Sequence, residues 1–123
     1  MFEIKDITNI TISEKASSIA DAIMLGTKLF KDKADVLTFA AGYMIKNYYA
    51  EFDPSTYTMP DSFGSNFGSS TYDPDRKWAV LIQALYGNTL TPYLYLRALM
   101  DKGLCLIQQR IDSEPSFRLI DEL

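Results

Sequence analysis

Histidine is absent from this chain of 123 residues, and cysteine occurs only once, at Cys105. Without histidine there is no imidazole to act as a general base, a nucleophile or a metal ligand. A single cysteine cannot form an internal disulfide or a cysteine-rich zinc or iron–sulfur site. These absences exclude much of enzyme chemistry. We therefore predict no catalytic residue, no metal site and no cofactor.

Basic residues and long apolar runs are also scarce. The chain has 12 Lys and Arg against 16 Asp and Glu, which gives a net charge of −4. Nucleic-acid modules usually present a basic surface, because neutralising phosphates supplies most of their affinity. No apolar run approaches the ~20 residues that span a bilayer, and the first residues show no signal-peptide pattern. We expect a cytoplasmic protein that does not enter a membrane.

The periodicity of apolar residues predicts one mainly α domain over residues 1–123. We expect two helical hairpins with four to five helices, a short N-terminal strand and a long aromatic-bearing loop. Residues 1–50 form the strand and the first hairpin, and residues 51–72 form the loop. Residues 73–113 form the second hairpin, and residues 114–123 form a tail whose last residues, Asp121, Glu122 and Leu123, we expect to be mobile.

Polar residues mark where the predicted helices begin. Ser13 and Asp32 are N-caps for the first two helices, because their side-chain oxygens can accept a hydrogen bond from a free backbone amide. Asp73 and Thr91 are each followed by a proline, which suits the first helical turn. Gly103 lies on the apolar face of the last helix. It either permits close helix packing or breaks that helix in two.

The second predicted helix is apolar nearly all round, from Val36 to Ile45. Such a helix lies at the centre of a core or contacts a second surface, often another subunit. For a chain of this size we expect a homo-oligomer or a partner interface, with a central position in the core as the alternative.

Aromatic residues crowd the end of this helix and the loop that follows. Tyr and Phe are enriched at the centres of protein interfaces, which makes the group a candidate partner-binding surface. The alternative is ordinary packing of the loop on the core. The candidate residues are Tyr43, Tyr48, Tyr49, Phe52, Tyr57, Phe63 and Phe67.

Three lysines, Lys28, Lys31 and Lys33, surround the turn between the first two helices. The amides at the start of the second helix lie nearby, so the turn is a candidate phosphate contact on nucleic acid. The alternative is a solvated turn whose charge is partly cancelled by Asp32 and Asp35.

Two acidic pairs and the lone thiol are the remaining candidates for catalytic groups. Glu51 with Asp53, or Asp73 with Asp75, could form a carboxylate pair, but loop solubility and helix capping explain them better. Cys105 lies between two leucines on a helix, and without a nearby base it is best explained as a small buried hydrophobe.

The order strand, capped helix, glycine turn and second helix resembles a ribbon-helix-helix module. That resemblance implies that two chains pair their strands and present alternate strand side chains to the DNA major groove. In this sequence those side chains belong to Asn9, Thr11 and Ser13.

A second resemblance covers about a quarter of the chain. The run LFKDKADVLTFAAGYMIKN at residues 29–47 and the stretch from Tyr95 to Ile107, with its MDKGL, are similar to segments of small accessory proteins. Those proteins are encoded beside DNA-phosphorothioation (Dnd-type) and related anti-phage systems. The resemblance implies a bacterial accessory subunit and transfers no catalytic residue.

The sequence thus predicts a non-enzymatic accessory or adaptor subunit of a bacterial DNA-defence system, acting through protein–protein contacts. Its expected partners are a larger defence protein and a second copy of the chain. The alternative is a dimeric ribbon-helix-helix-like DNA-binding regulator or a DNA-end binder.

Overall fold

A computed structural model describes residues 5–60 and 63–123, and it has the mainly helical fold that the sequence predicts. Two helical hairpins are joined by a segment that carries a strand. The elements in chain order are β1 (Asn9–Ser13), α1 (Glu14–Thr27), α2 (Lys33–Tyr48), a 3-10 turn (Pro54–Thr56), β2 (Phe63–Gly68), α3 (Ser69–Tyr72), α4 (Lys77–Leu85), α5 (Pro92–Ser113) and a second 3-10 turn (Leu119–Glu122).

The segment predicted as a loop, residues 51–72, is more ordered than the sequence indicated. Its second half forms β2, which pairs antiparallel with β1 and sets Ile10 opposite Phe67. The short helix α3 follows directly. One edge of β1 is therefore paired with a strand of the same chain, whereas a ribbon-helix-helix module pairs its strand with that of a second chain.

The predicted N-caps of the first hairpin are confirmed. The Ser13 hydroxyl accepts a hydrogen bond from the Ala16 amide at 3.2 Å, and an Asp32 carboxylate oxygen accepts one from the Asp35 amide at 3.0 Å. The first helix was expected to end at the glycine turn, but it continues through Gly26 to Thr27. Lys28 then adopts the left-handed conformation, with φ of 55°, and ends the helix.

Removing the first of these caps gives a clean stability test. We expect Ser13→Ala to lower the free energy of unfolding by about 1 kcal/mol, because the Ala16 amide loses its acceptor in a buried place. Urea denaturation followed by circular dichroism measures the change. Ser18→Ala, at an exposed position of the same helix, is the control and should differ from wild type by less than ~0.5 kcal/mol. Equal losses in both variants would contradict the cap.

The second hairpin begins later than the sequence indicated. The predicted start, with Asp73 as N-cap and Pro74 in the first turn, is wrong. Arg76 holds the N-cap position, and the Asp73 side chain caps amides of α4 from four residues before its first residue, Lys77. The Asp73 carboxylate accepts hydrogen bonds from the backbone amides of Trp78 and Ala79 at 3.2 and 3.1 Å, and from the Tyr93 hydroxyl at 3.0 Å. A turn at residues 74–75 therefore separates the capping residue from its helix.

The last long helix, α5, is the centre of the packing. It contacts α1, α2, α4, β1 and the first 3-10 turn. It is continuous through Gly103, so of the two alternatives for this glycine, close packing holds. A Cβ atom at Gly103 would lie 2.5 Å from the Ala40 carbonyl oxygen, which shows how closely the backbones of α2 and α5 approach.

The prediction that α2 exposes apolar surface to a partner is wrong. Val36, Leu37 and Ala40 are fully buried, and Phe39 and Ile45 pack partly buried against the same core. No large apolar side chain of α2 is exposed. The helix is therefore covered within one chain, as the alternative interpretation held.

The end of the chain, predicted to be a mobile tail, is tied to the end of α5. The Arg110 guanidinium forms ion pairs with Glu114 at 3.0 Å and with Glu122 at 3.3 Å, and it lies over the Phe117 ring. Leu119 is buried. Within residues 5–60 and 63–123, no helix combines the length and apolar character needed to cross a bilayer.

Candidate functional site

A cleft opens where four elements meet: the first turns of α2, the end of β2, the helix α3 and the start of α4. Its volume is about 440 Å³. Clefts of ~300–1,000 Å³ are typical of sites for small ligands or single protein side chains. We call it the aromatic cleft, and its lining residues are Asp32, Ala34, Asp35, Thr38, Asn66, Phe67, Gly68, Thr71, Tyr72 and Trp78.

Three aromatic side chains line this cleft, each half-buried: Phe67, Tyr72 and Trp78. The Tyr72 hydroxyl shares a hydrogen bond with the Thr38 hydroxyl of α2, which ties α3 to the helix beneath it. Burial, together with the nearby carboxylates of Asp73 and Asp35, raises the pKa of Tyr72 to about 12. This ring therefore stays neutral at physiological pH and lies in a negative field.

Beside the cleft, α4 exposes an apolar outer face. Val80 and Leu81 keep 60% and 42% of their surface in solvent, and Ala84 is exposed one turn further on. The opposite side of the helix is buried through Ala79 and Ile82. Since Trp78 and Leu81 are three residues apart, they are neighbours on the helix, and the aromatic cleft continues onto this face.

A second, shallower apolar groove lies between the ends of α1 and α5. It has a volume of about 330 Å³ and is lined in part by Ile23, Gly26 and Ile111. Leu25, on the same end of α1, has 81% of its surface exposed.

Most of the predicted partner-binding aromatics have internal contacts. Tyr43 is buried, so it is unavailable to a partner, and its ring packs against that of Tyr48. Phe52 packs edge-on against Tyr57, whose hydroxyl donates to Asp101. The packing alternative therefore describes these four residues better.

The remaining aromatics of that group lie in different places. Tyr49 is 46% exposed, packs on Tyr86 and donates its hydroxyl to the Leu85 carbonyl at the end of α4. Phe67 lines the aromatic cleft. Phe63 falls in β2, but its side chain lies outside what the structure describes.

The predicted nucleic-acid contacts do not converge. Lys28 and Lys31 are exposed, but Lys33 pairs with Asp21 at 2.9 Å and donates to the Ser17 hydroxyl at 2.6 Å. On β1, Asn9 is exposed, whereas the Thr11 hydroxyl bonds Asn66. Ser13, the third strand position, is buried as a helix cap. The lysine turn and the strand thus present few free groups to a phosphate backbone.

Several carboxylates that could have served chemistry serve structure. Asp73 caps α4, and Asp53 accepts hydrogen bonds from Ser55 in the first 3-10 turn. Asp101 is fully buried and accepts the Ser13 amide at 2.7 Å. Burial and the neighbouring Asp101 raise the pKa of the half-buried Cys105 thiol, which disfavours its reactive thiolate.

Neither a metal site nor a relative supplies a function. Among the residues that the structure describes, no group of three or more Asp, Glu or Cys side chains could hold a metal ion. Comparison with protein-family models, with curated proteins and with solved structures finds no match. The function proposed below is therefore based on the geometry of the aromatic cleft and of α4.

Proposed function

We propose that this protein is a non-enzymatic accessory subunit that acts by binding a larger protein through the outer face of α4. The observation that carries the proposal is the exposure of Val80 and Leu81 on a nine-residue helix whose other side is already buried. Aliphatic side chains exposed together on a small domain mark a contact surface more often than solitary ones do. The resemblance of residues 29–47 to Dnd-type accessory proteins supports a role in bacterial DNA defence, and we propose that the protein acts in the cytoplasm.

The charge of the surface indicates the kind of partner. The chain is acidic overall, and Asp32 and Asp35 lie at the cleft that adjoins the apolar face of α4. Two copies of this chain would bring like charges together, which opposes association. A segment of a larger protein that carries aliphatic and basic side chains complements both features, and we propose that as the occupant.

The test places a photo-crosslinking amino acid at residue 81 of the full chain in its native host. We expect a discrete crosslink to one larger protein, with none from the same amino acid at residue 25, a more exposed leucine position on α1. The two proteins should then bind each other when purified. The double variant Val80→Lys with Leu81→Lys should weaken that binding by at least ten-fold. Circular dichroism of the double variant verifies that it remains folded.

Three outcomes would overturn the proposal. A crosslink only to a second copy, matched by a dimer in sedimentation analysis, would make α4 a self-association surface. Crosslinking from residue 25 instead of residue 81 would move the interface to the α1–α5 groove. A strict monomer with no crosslink at either position would remove the adaptor role.

A further inference from the structure

The aromatic cleft has the composition of a site for a positively charged organic group. Three aromatic side chains surround it, and carboxylates of α2 stand at its edge. The face of an aromatic ring attracts a cation within ~6 Å of its centre, most strongly for tryptophan. A carboxylate adds a charge-assisted hydrogen bond to the same cation.

The balance of charge at the cleft is negative. Asp32 and Asp35 contribute two carboxylates, whereas the N-terminus of α2 contributes only about half a positive charge. Lys33, between them in sequence, is directed to Asp21 on α1. Lys31 and Lys77 are exposed but do not line the cleft. An anion would therefore be repelled there, and a cation attracted.

The neighbouring arginine is engaged elsewhere. The guanidinium carbon of Arg76 lies 5.6 Å from the centre of the Tyr93 ring, so this side chain already stacks on an aromatic ring of α5. Two exposed side chains at the cleft are neutral and polar: Thr71, and Asn66, whose amide oxygen already accepts one hydrogen bond from the Thr11 hydroxyl. Amide and hydroxyl oxygens of this kind accept hydrogen bonds from a cation without adding charge.

We propose that the aromatic cleft binds a guanidinium or alkylammonium group, held among Phe67, Tyr72 and Trp78 by the carboxylates of Asp32 and Asp35. Its source is an arginine or lysine side chain of the larger protein, an assignment that rests on the proposed function. A planar guanidinium both stacks on an aromatic ring and bonds a carboxylate with two parallel hydrogen bonds. Arginine therefore fits the cleft best.

The only tryptophan of the chain lies in this cleft, so its fluorescence reports binding directly. The probes are N-acetyl-arginine methylamide and its neutral isostere N-acetyl-citrulline methylamide, titrated into the full chain. We expect a saturable change of Trp78 fluorescence in the millimolar range with the arginine compound and none with citrulline. A third titration uses ethylguanidinium, which has the same cationic group but no backbone amides. Comparing its affinity with that of the arginine compound distinguishes a site for a free small cation from a site for a side chain of a peptide.

Two variants test the contacts. Asp35→Asn removes one carboxylate, and we expect at least a five-fold loss of affinity. Thr71→Lys places a competing ammonium at the rim and should abolish binding. The control Asp112→Asn removes an acid from the far end of α5, outside the cleft lining, and should leave affinity unchanged. Circular dichroism verifies that all three variants fold.

The outcomes separate this inference from the function it builds on. Equal binding of arginine and citrulline compounds, or no loss in Asp35→Asn, would overturn the cation site while the crosslink at residue 81 stands unaffected. Tighter binding of ethylguanidinium than of the arginine compound would assign the cleft to a free cation and contradict the side-chain source. No saturation at tens of millimolar would reject the site.

Discussion

Replacing Gly103 with valine is expected to lower the free energy of unfolding by about 3 kcal/mol. A Cβ atom at this position would lie 2.5 Å from the carbonyl oxygen of Ala40 and 3.0 Å from Cγ of Met44. The Ala40 atom belongs to the backbone and cannot rotate away, so α2 and α5 must separate. Because this contact lies at the centre of the core, the separation disturbs packing on both sides of α5.

The control is a second helical glycine. A Cβ atom at Gly42 would meet nothing within 4 Å, so Gly42→Ala should stabilise α2 by up to ~1 kcal/mol through helix propensity alone. Urea denaturation measures both variants. A Gly103→Val protein as stable as wild type would mean that the two helices are not in backbone contact.

Asp101→Ala, which removes a buried carboxylate, is expected to lower the free energy of unfolding by a similar amount, about 3 kcal/mol. This fully buried group accepts hydrogen bonds from the Ser13 amide and from the Tyr57 hydroxyl. Each buried donor left without an acceptor costs ~1–3 kcal/mol. The loss would release both β1 and the segment after α2 from α5.

The two donors can be separated by a double-mutant cycle. Tyr57→Phe removes one hydrogen bond and should cost ~1 kcal/mol in the wild-type background, but much less once Asp101 is alanine. Asp112→Ala, at an exposed position of the same helix, is the matched control. Additive losses of Tyr57→Phe and Asp101→Ala would contradict their direct contact.

Local rules predicted the parts of the fold that depend on neighbouring residues. Ser13 and Asp32 cap α1 and α2 as expected, because a cap needs only a side-chain oxygen and an amide three residues on. Thr91 with its following proline also marks the start of α5. Helices α1, α2, α4 and α5 and the first strand were therefore visible in the sequence, whereas the short helix α3 was not.

The strand β2 was not visible, because its sequence, FGSNFG, contains two glycines and an asparagine, residues that are depleted in strands. Pairing with β1, far away in sequence, decides its conformation. Whether a segment forms a strand depends strongly on the strand with which it pairs. The residues at 63–68 alone indicate only the local backbone preference, which does not favour a strand.

The exposed apolar surface was predicted on the wrong helix for a related reason. Apolar residues on every side of a helix predict that it is either central or in contact with a partner, and both α2 and α4 meet this description. Gly103 allows α5 to cover α2 at backbone contact, whereas the described residues leave Val80 and Leu81 60% and 42% exposed. Only tertiary packing distinguishes the two helices, and it also assembles the aromatic cleft from four separate elements.

The position of α5 in the chain has a consequence during synthesis. Helices α1, α2 and α4 and the strand β1 all pack on this helix, yet it is made after each of them. Roughly 65 residues separate the end of α2 from the end of α5, which corresponds to ~3–13 s of translation at typical rates. During that time α2 can pack on α1 but its face toward α5 stays uncovered, so the nascent chain should be a chaperone client until α5 leaves the ribosome.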